Sequence, residues 1–196
     1  MPVEERQIRA VYDEKTITVY QAYNKTIAES AVKNQTFVSP PYKMDRMTWI
    51  KPSFLWMMYR SGWATKPNQE HILAIKISRE GFEWALQNAC LSHFDPEVHN
   101  SHNEWKEKLQ RSPVRIQWDP ERDIHMDKLG YRAIQMGLSG VAVRKYTDEW
   151  IQEIEDVTDI CYSIYKFLRK REMQQASNLL PKELAYPVQD SLVSCS

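Results

Sequence analysis

Between Phe37 and Gln69 the basic side chains Lys43, Arg46, Lys51, Arg60 and Lys66 face one acid, Asp45, giving this stretch a charge of +4. They are interleaved with seven of the chain's 22 aromatics: Phe37, Tyr42, Trp49, Phe54, Trp56, Tyr59 and Trp63. Cations pair with phosphates, and aromatic faces stack a base or a nicotinamide ring, so the pattern points to an anionic, ring-bearing ligand. Aromatics at helical spacing more often build cores, and Lys and Arg beside them snorkel, so packing is the expected role for any one ring even where the cluster as a whole points to a ligand.

Three other groups could do chemistry. Tyr20-Gln21-Ala22-Tyr23 closes an apolar strand with Arg9 on its neighbour, and functional side chains gather where strands pass into loops, although a buried Tyr with its hydroxyl satisfied and a surface Gln is an equally open reading. Gln117-Trp118-Asp119-Pro120-Glu121-Arg122 reads as a strand stopped by Asp119-Pro120, with carboxylates at its mouth to steady a developing cation or orient a hydroxyl, or to cap the turn. Gln135 on the following strand could present an amide to the same pocket or pack in the core. His93, Asp95, His99 and His102 offer metal-ligand residue types, but match no metal-site spacing, so solvated histidines and no metal are expected. Ser61 lies outside any G-x-S-x-G elbow, which argues against a hydrolase triad.

The elements that must position these groups alternate without a strict strand–helix–strand rhythm, which favours α+β over α/β. Residues 7–23 read as a hairpin or consecutive strands, and Asn24 can cap a helix carrying Ile27, Ala28, Ala31 and Val32. An extended run to Lys51 precedes a helix with Pro52 near its first turn and Gly62 past its end. HILAIKIS at 71–78 alternates as a strand, and Ser78 caps the next helix. Strands follow at 114–118 and 131–138, then a helix through Lys145. Residues 150–157 suit either strand or helix, 159–171 form an amphipathic helix, and 177–196, rich in proline and serine, are expected to be a loose tail after one domain over 1–176.

Composition bounds the rest. The 42% apolar content supplies one ordinary core, and 26 basic against 26 acidic residues remove any argument for a polyanion-coating or membrane-surface protein. Five glycines, none in a phosphate-loop spacing, mean that a nucleotide site here must be built from side chains. Three separated cysteines give neither a disulfide framework nor a thiolate metal site, and no apolar run is long enough to span a bilayer. A soluble, cytoplasmic protein without a membrane partner is the expectation.

IRAVYD, ITVYQAY, RMTWIKPSFLWMMYRSGWATKP, LAIKISREGFEWAL, VRIQWDPERD and YRAIQMGLSG, taken together, resemble the domain of unknown function 4291 family over residues 6–160. The order of these motifs is similar to that of the ADP-ribosyltransferase superfamily, although a Glu-x-Glu pair and a first-motif histidine are missing. That resemblance implies a split, largely antiparallel sheet with flanking helices, and NAD as substrate in a cleft between its halves. It implies Tyr20 and Gln21 on the ribose and nicotinamide side, Tyr59-Arg60-Ser61 as a second motif, and Glu121 as the carboxylate that orients the ribose. With the basic and strand-end residues, the expected catalytic set is Glu121, Tyr20 and Arg60, and the expected NAD-binding set is Arg9, Tyr20, Gln21, Lys51, Tyr59, Ser61, Trp118 and Gln135. The acceptor would be a nucleic acid or a protein. The alternative is a non-catalytic module that grips RNA or DNA with the same basic-aromatic patch.

Overall fold

Residues 5–188 are described by the structure, a computed structural model. β1 (Arg9–Ala10) leads into β2 (Thr16–Tyr23) through a turn closed by Asp13, whose carboxylate accepts the backbone N–H groups of Lys15 and Thr16 at 2.8 and 2.7 Å. Asn24 caps α1 (Lys25–Asn34), accepting from Ile27 N at 3.1 Å, as its residue type dictates. β3 (Thr48–Ile50) precedes α2 (Phe54–Ser61), which is capped by Ser53, so Pro52 stands just before the helix rather than in its first turn. Gly62 ends α2 at φ +60°, a conformation that costs glycine nothing.

β4 (His71–Ser78) passes directly into α3 (Arg79–Gln87), with Ser78 as its cap. β5 (Ala89–Leu91), α4 (His102–Arg111), β6 (Val114–Arg122) and β7 (Lys128–Leu138) follow. After α5 (Val141–Lys145) and one π-helical turn at Tyr146–Trp150, the ambiguous segment resolves as a strand, β8 (Ile151–Asp156). α6 (Thr158–Arg169), α7 (Met173–Leu179) and β9 (Leu184–Ala185) complete the described chain.

β2, β4 and β8 form one antiparallel sheet, in the order β2-β4-β8, and β3-β7-β6-β5 form a second in which only β5 and β6 are parallel. The two are joined where Tyr20 N donates to Lys51 O at 2.7 Å and Lys51 N returns to Tyr20 O at 3.3 Å. The result is a single α+β unit with a split, largely antiparallel sheet. Alternation along β4 explains the helices on both sides: Leu73, Ile75 and Ile77 enter the main core with α1 and α3, while Ile72 joins Tyr20, Phe54, Met58, Cys161 and Ile164 in a second cluster under α2 and α6. Each such aliphatic side chain removed from water contributes about 1.5–3 kcal/mol. The free edge of β8 is occupied by the Gln35 amide, which accepts from Ile154 N at 2.9 Å and donates to Ile154 O at 3.0 Å.

Two expectations are corrected. β6 does not stop at Asp119-Pro120 but runs to Arg122, because β5 pairs only with Val114–Ile116 and a register shift follows Pro120. A missing N–H beyond the reach of β5 leaves no ladder bond broken. The segment 177–188 is not loose: β9 pairs with β1, Tyr12 Oη donates to Ala185 O at 2.9 Å, and Tyr186 is buried with its hydroxyl donating to Glu83 at 2.9 Å. Proline and serine content suggested slack, but one buried aromatic anchor outweighs it. Residues 189–196 of the expected tail lie outside the described residues. Among those described, no helix is long and apolar enough to cross a membrane.

Candidate functional site

Period-two alternation builds most of a cleft on the face of the four-stranded sheet turned away from its core. Val114, Ile116 and Trp118 of β6 point into the core, so Gln117 and Asp119 take the other face; Gln135 pairs with Gln117 in β7, and Trp49 pairs with Gly137 in β3. Lys51 falls two residues beyond Trp49 on that face. A Cβ on Gly137 would lie 2.9 Å from the Trp49 indole and 2.8 Å from Met47 Sδ, so only glycine lets the indole lie flat over β7. α2 contributes Trp56, Tyr59 and Arg60 to the wall.

Two cavities, of about 480 and 650 Å³, meet at Trp49, Lys51 and Arg60, which line both. The larger is also lined by Lys43 and Arg46, and among the described residues no Asp or Glu lines it. The smaller has one carboxylate, Asp119, held by the Gln135 and Gln117 amides at 2.6 and 3.1 Å. Lys51 is only 7% exposed, and its ammonium donates to Trp49 O at 3.4 Å. Burial pushes its pKa down to about 8, with Arg60 adding repulsion and Asp119 opposing it. Arg122 lies 3.8 Å from the Tyr59 ring centre, and Tyr59 in turn stacks on Trp56.

Arg122 also lines a third cavity, of about 260 Å³, with Arg9, Ser53, Glu121, Tyr131 and Glu183. Glu121 is buried where the register of β6 shifts; one of its oxygens accepts from Ser53 Oγ at 2.9 Å and from Arg122 N at 2.8 Å. Burial raises its pKa, against the pull of those two hydrogen bonds and of Arg9 and Arg122. Glu183 accepts from Phe54 N at the start of α2 at 2.7 Å, while Arg9 donates to its backbone oxygen at 3.1 Å. Burial lifts the Glu183 carboxyl to about 8, with the Glu121 charge adding to the effect. Ser53 therefore performs two tasks, capping α2 and fixing Glu121.

The expected site residues are distributed unevenly. Lys51, Tyr59, Arg60 and Gln135 share the cationic cleft, and Arg9 and Glu121 share the third cavity. The expected catalytic trio does not converge, because Tyr20 lies in the second core cluster, edge-on to Phe54, and lines a different cavity. Gln21 lines the large cavity, but its amide is committed to Thr48, Tyr23 and Trp49 O, and its oxygen accepts from Tyr146 Oη at 2.7 Å. Trp118 is on the core side of β6, one residue out of phase with the cleft. Ser61 is fully buried at the end of α2, accepting from Ala64 N at 3.2 Å. Ser53, Asp119 and Glu183 were missing from the expected sets; the β6 alternation already placed Asp119 beside Gln117, whereas nothing in the chain order linked Glu183 to residue 54.

The histidines expected to be solvated are not all so: His99 is buried, and His102, at the start of α4, stacks on Phe94 at 3.8 Å. Among the described residues no group of three or more His, Cys, Asp or Glu is placed to hold a metal ion. Residues 7–186 match the family model described as Domain of unknown function (DUF4291), so the chain belongs to that family. No curated protein matches it.

Proposed function

Starting from a family whose description assigns no activity, we propose that this member is an NAD-using, ADP-ribosyltransferase-like enzyme whose reaction centre is the Glu121 cavity. The observation that carries the reading is a buried carboxylate fixed by Ser53 and the Arg122 N–H, in one cavity with Arg9 and beside a cationic cleft. When the C1′–N bond to nicotinamide breaks, the ribose gains positive charge, and a pre-fixed carboxylate is worth most in a water-poor site at that moment. The free oxygen of Glu121 would accept a ribose hydroxyl. Arg9 and Arg122 would face the phosphates, and no glycine loop is needed. In this reading the split sheet is an ADP-ribosyltransferase-like fold, and Tyr20 and Ser61 support it only as packing.

Nicotinamide release from NAD tests the proposal. The wild-type protein should release it, and Glu121→Gln should be roughly 10²–10³-fold slower while still binding NAD. Because the ionised carboxylate is the working form and burial raises its pKa, activity should rise with pH along a limb lying above the ordinary carboxylate range of 4.5. Wild-type protein that neither binds NAD nor releases nicotinamide would overturn the reading.

A further inference from the structure

Independently of NAD, the larger cavity has a lining suited to an anionic ligand. Lys43, Arg46, Lys51 and Arg60 line it with no Asp or Glu among the described residues, and none of the four forms an ion pair with a described carboxylate. Ion pairs form elsewhere, as at Arg6–Asp95 (2.7 Å) and Lys76–Glu153 (2.6 Å), but most of the chain's lysines and arginines stand apart at the surface, so the distinctive feature here is that four converge on one concavity. Four like charges around one concavity repel each other, and in a chain of zero net charge this is a local arrangement that bulk composition does not impose.

We propose that this cavity, with the smaller one that joins it at Trp49, Lys51 and Arg60, is a binding site for a single strand of nucleic acid. The two spaces of about 650 and 480 Å³ together exceed what one mononucleotide fills, and they run on from each other. Lys51 is recessed, so the phosphates must come down to it, which a flexible single strand can do and a stiff duplex cannot. The half-buried Trp49 ring and the amides of Asn68 and Gln69 give unstacked bases a flat face and polar edges to meet. An acidic peptide would satisfy the cations but leave the ring unused. The smaller space leads, through Arg122, toward the Glu121 cavity, so a strand bound here lies alongside the proposed reaction centre.

Fluorescence anisotropy with a labelled 12-nucleotide single strand tests the site on the full chain. Binding should weaken with salt along a log–log slope of about −1.5 to −3, the mark of two to four phosphate contacts. Arg46 and Arg60 are exposed, so Arg46→Ala with Arg60→Ala should keep the fold, weaken binding about tenfold near 0.1 M salt and flatten the slope by about 1.4. Absence of strand binding at low salt, equal binding of duplex or polyglutamate, or an unchanged slope in the double variant would each overturn the proposal. Strand binding that survives in Glu121→Gln supports it, whatever NAD does, so the two proposals can fail separately.

Discussion

The Glu121 cavity and the Lys51 cleft share the Arg122 wall, yet they bury opposite charge. In the first, two enclosed carboxyls meet at the start of α2, and each has its pKa raised, Glu183 to about 8. In the second, a recessed ammonium sits among unpaired cations and has its pKa lowered to about 8. Both arrangements cost folding stability, since neither buried charge has the direct ion pair that would offset its desolvation. Two such costs lie side by side with opposite signs, and it is this contrast that the two proposed sites rest on.

Structural disruption should separate the two regions most strongly. Gly137→Val places a side chain where the Trp49 indole and Met47 lie, and should cost about 3 kcal/mol in denaturant unfolding. Because Trp49 lines the cleft cavities and not the Glu121 cavity, strand binding should fall while Glu121 keeps its Ser53 partner. Loss of NAD turnover equal to the loss of strand binding would mean that the two regions are one site.

Next comes the pH signature of the carboxyl cavity. A carboxyl with a raised folded pKa stabilises the fold below its unfolded value, and that contribution is lost as pH rises from about 4.5 through about 8. Glu183→Gln keeps an acceptor for Phe54 N without the ionisation, so it should remove part of this alkaline loss and be about 2 kcal/mol more stable than wild type near pH 9. Identical stability–pH curves would show that the carboxyl escapes to water.

The cleft should show the reverse. With its folded pKa below the unfolded 10.5, Lys51 binds its proton more weakly in the fold, so stability should rise between about pH 8 and 10.5. Lys51→Met should flatten that rise and stabilise the protein by about 1 kcal/mol at pH 7, while weakening strand binding. A destabilised Lys51→Met protein would assign the lysine to structure rather than to the ligand.

Local chemistry carried much of the fold. Asn24, Ser78 and Gly62 marked helix ends, and the alternation of HILAIKIS gave both faces of β4, because caps and period-two patterns act over a few residues. The site was legible in part for the same reason. Lys51, Tyr59 and Arg60 come from one basic-aromatic stretch, and Gln117, Asp119 and Gln135 from two alternating strands. Strand parity puts Trp118 on the core side of β6, and Tyr20 packs in the cluster under α2, where an aromatic ring is as well suited as beside a ribose.

What the sequence determined by itself was the class of fold, the positions of most of its elements, the family and the presence of a cationic, aromatic stretch in a neutral chain. The tertiary structure alone decided that Arg9, Ser53, Glu121 and Glu183 share one cavity, and that four cations surround another with no acid among the described residues that line it. Residues 9, 53, 121 and 183 meet through the pairing of β1 with β9, the cap of α2 and the register shift after Pro120. Those contacts are fixed by packing between distant segments, and no property of any one segment encodes its partner.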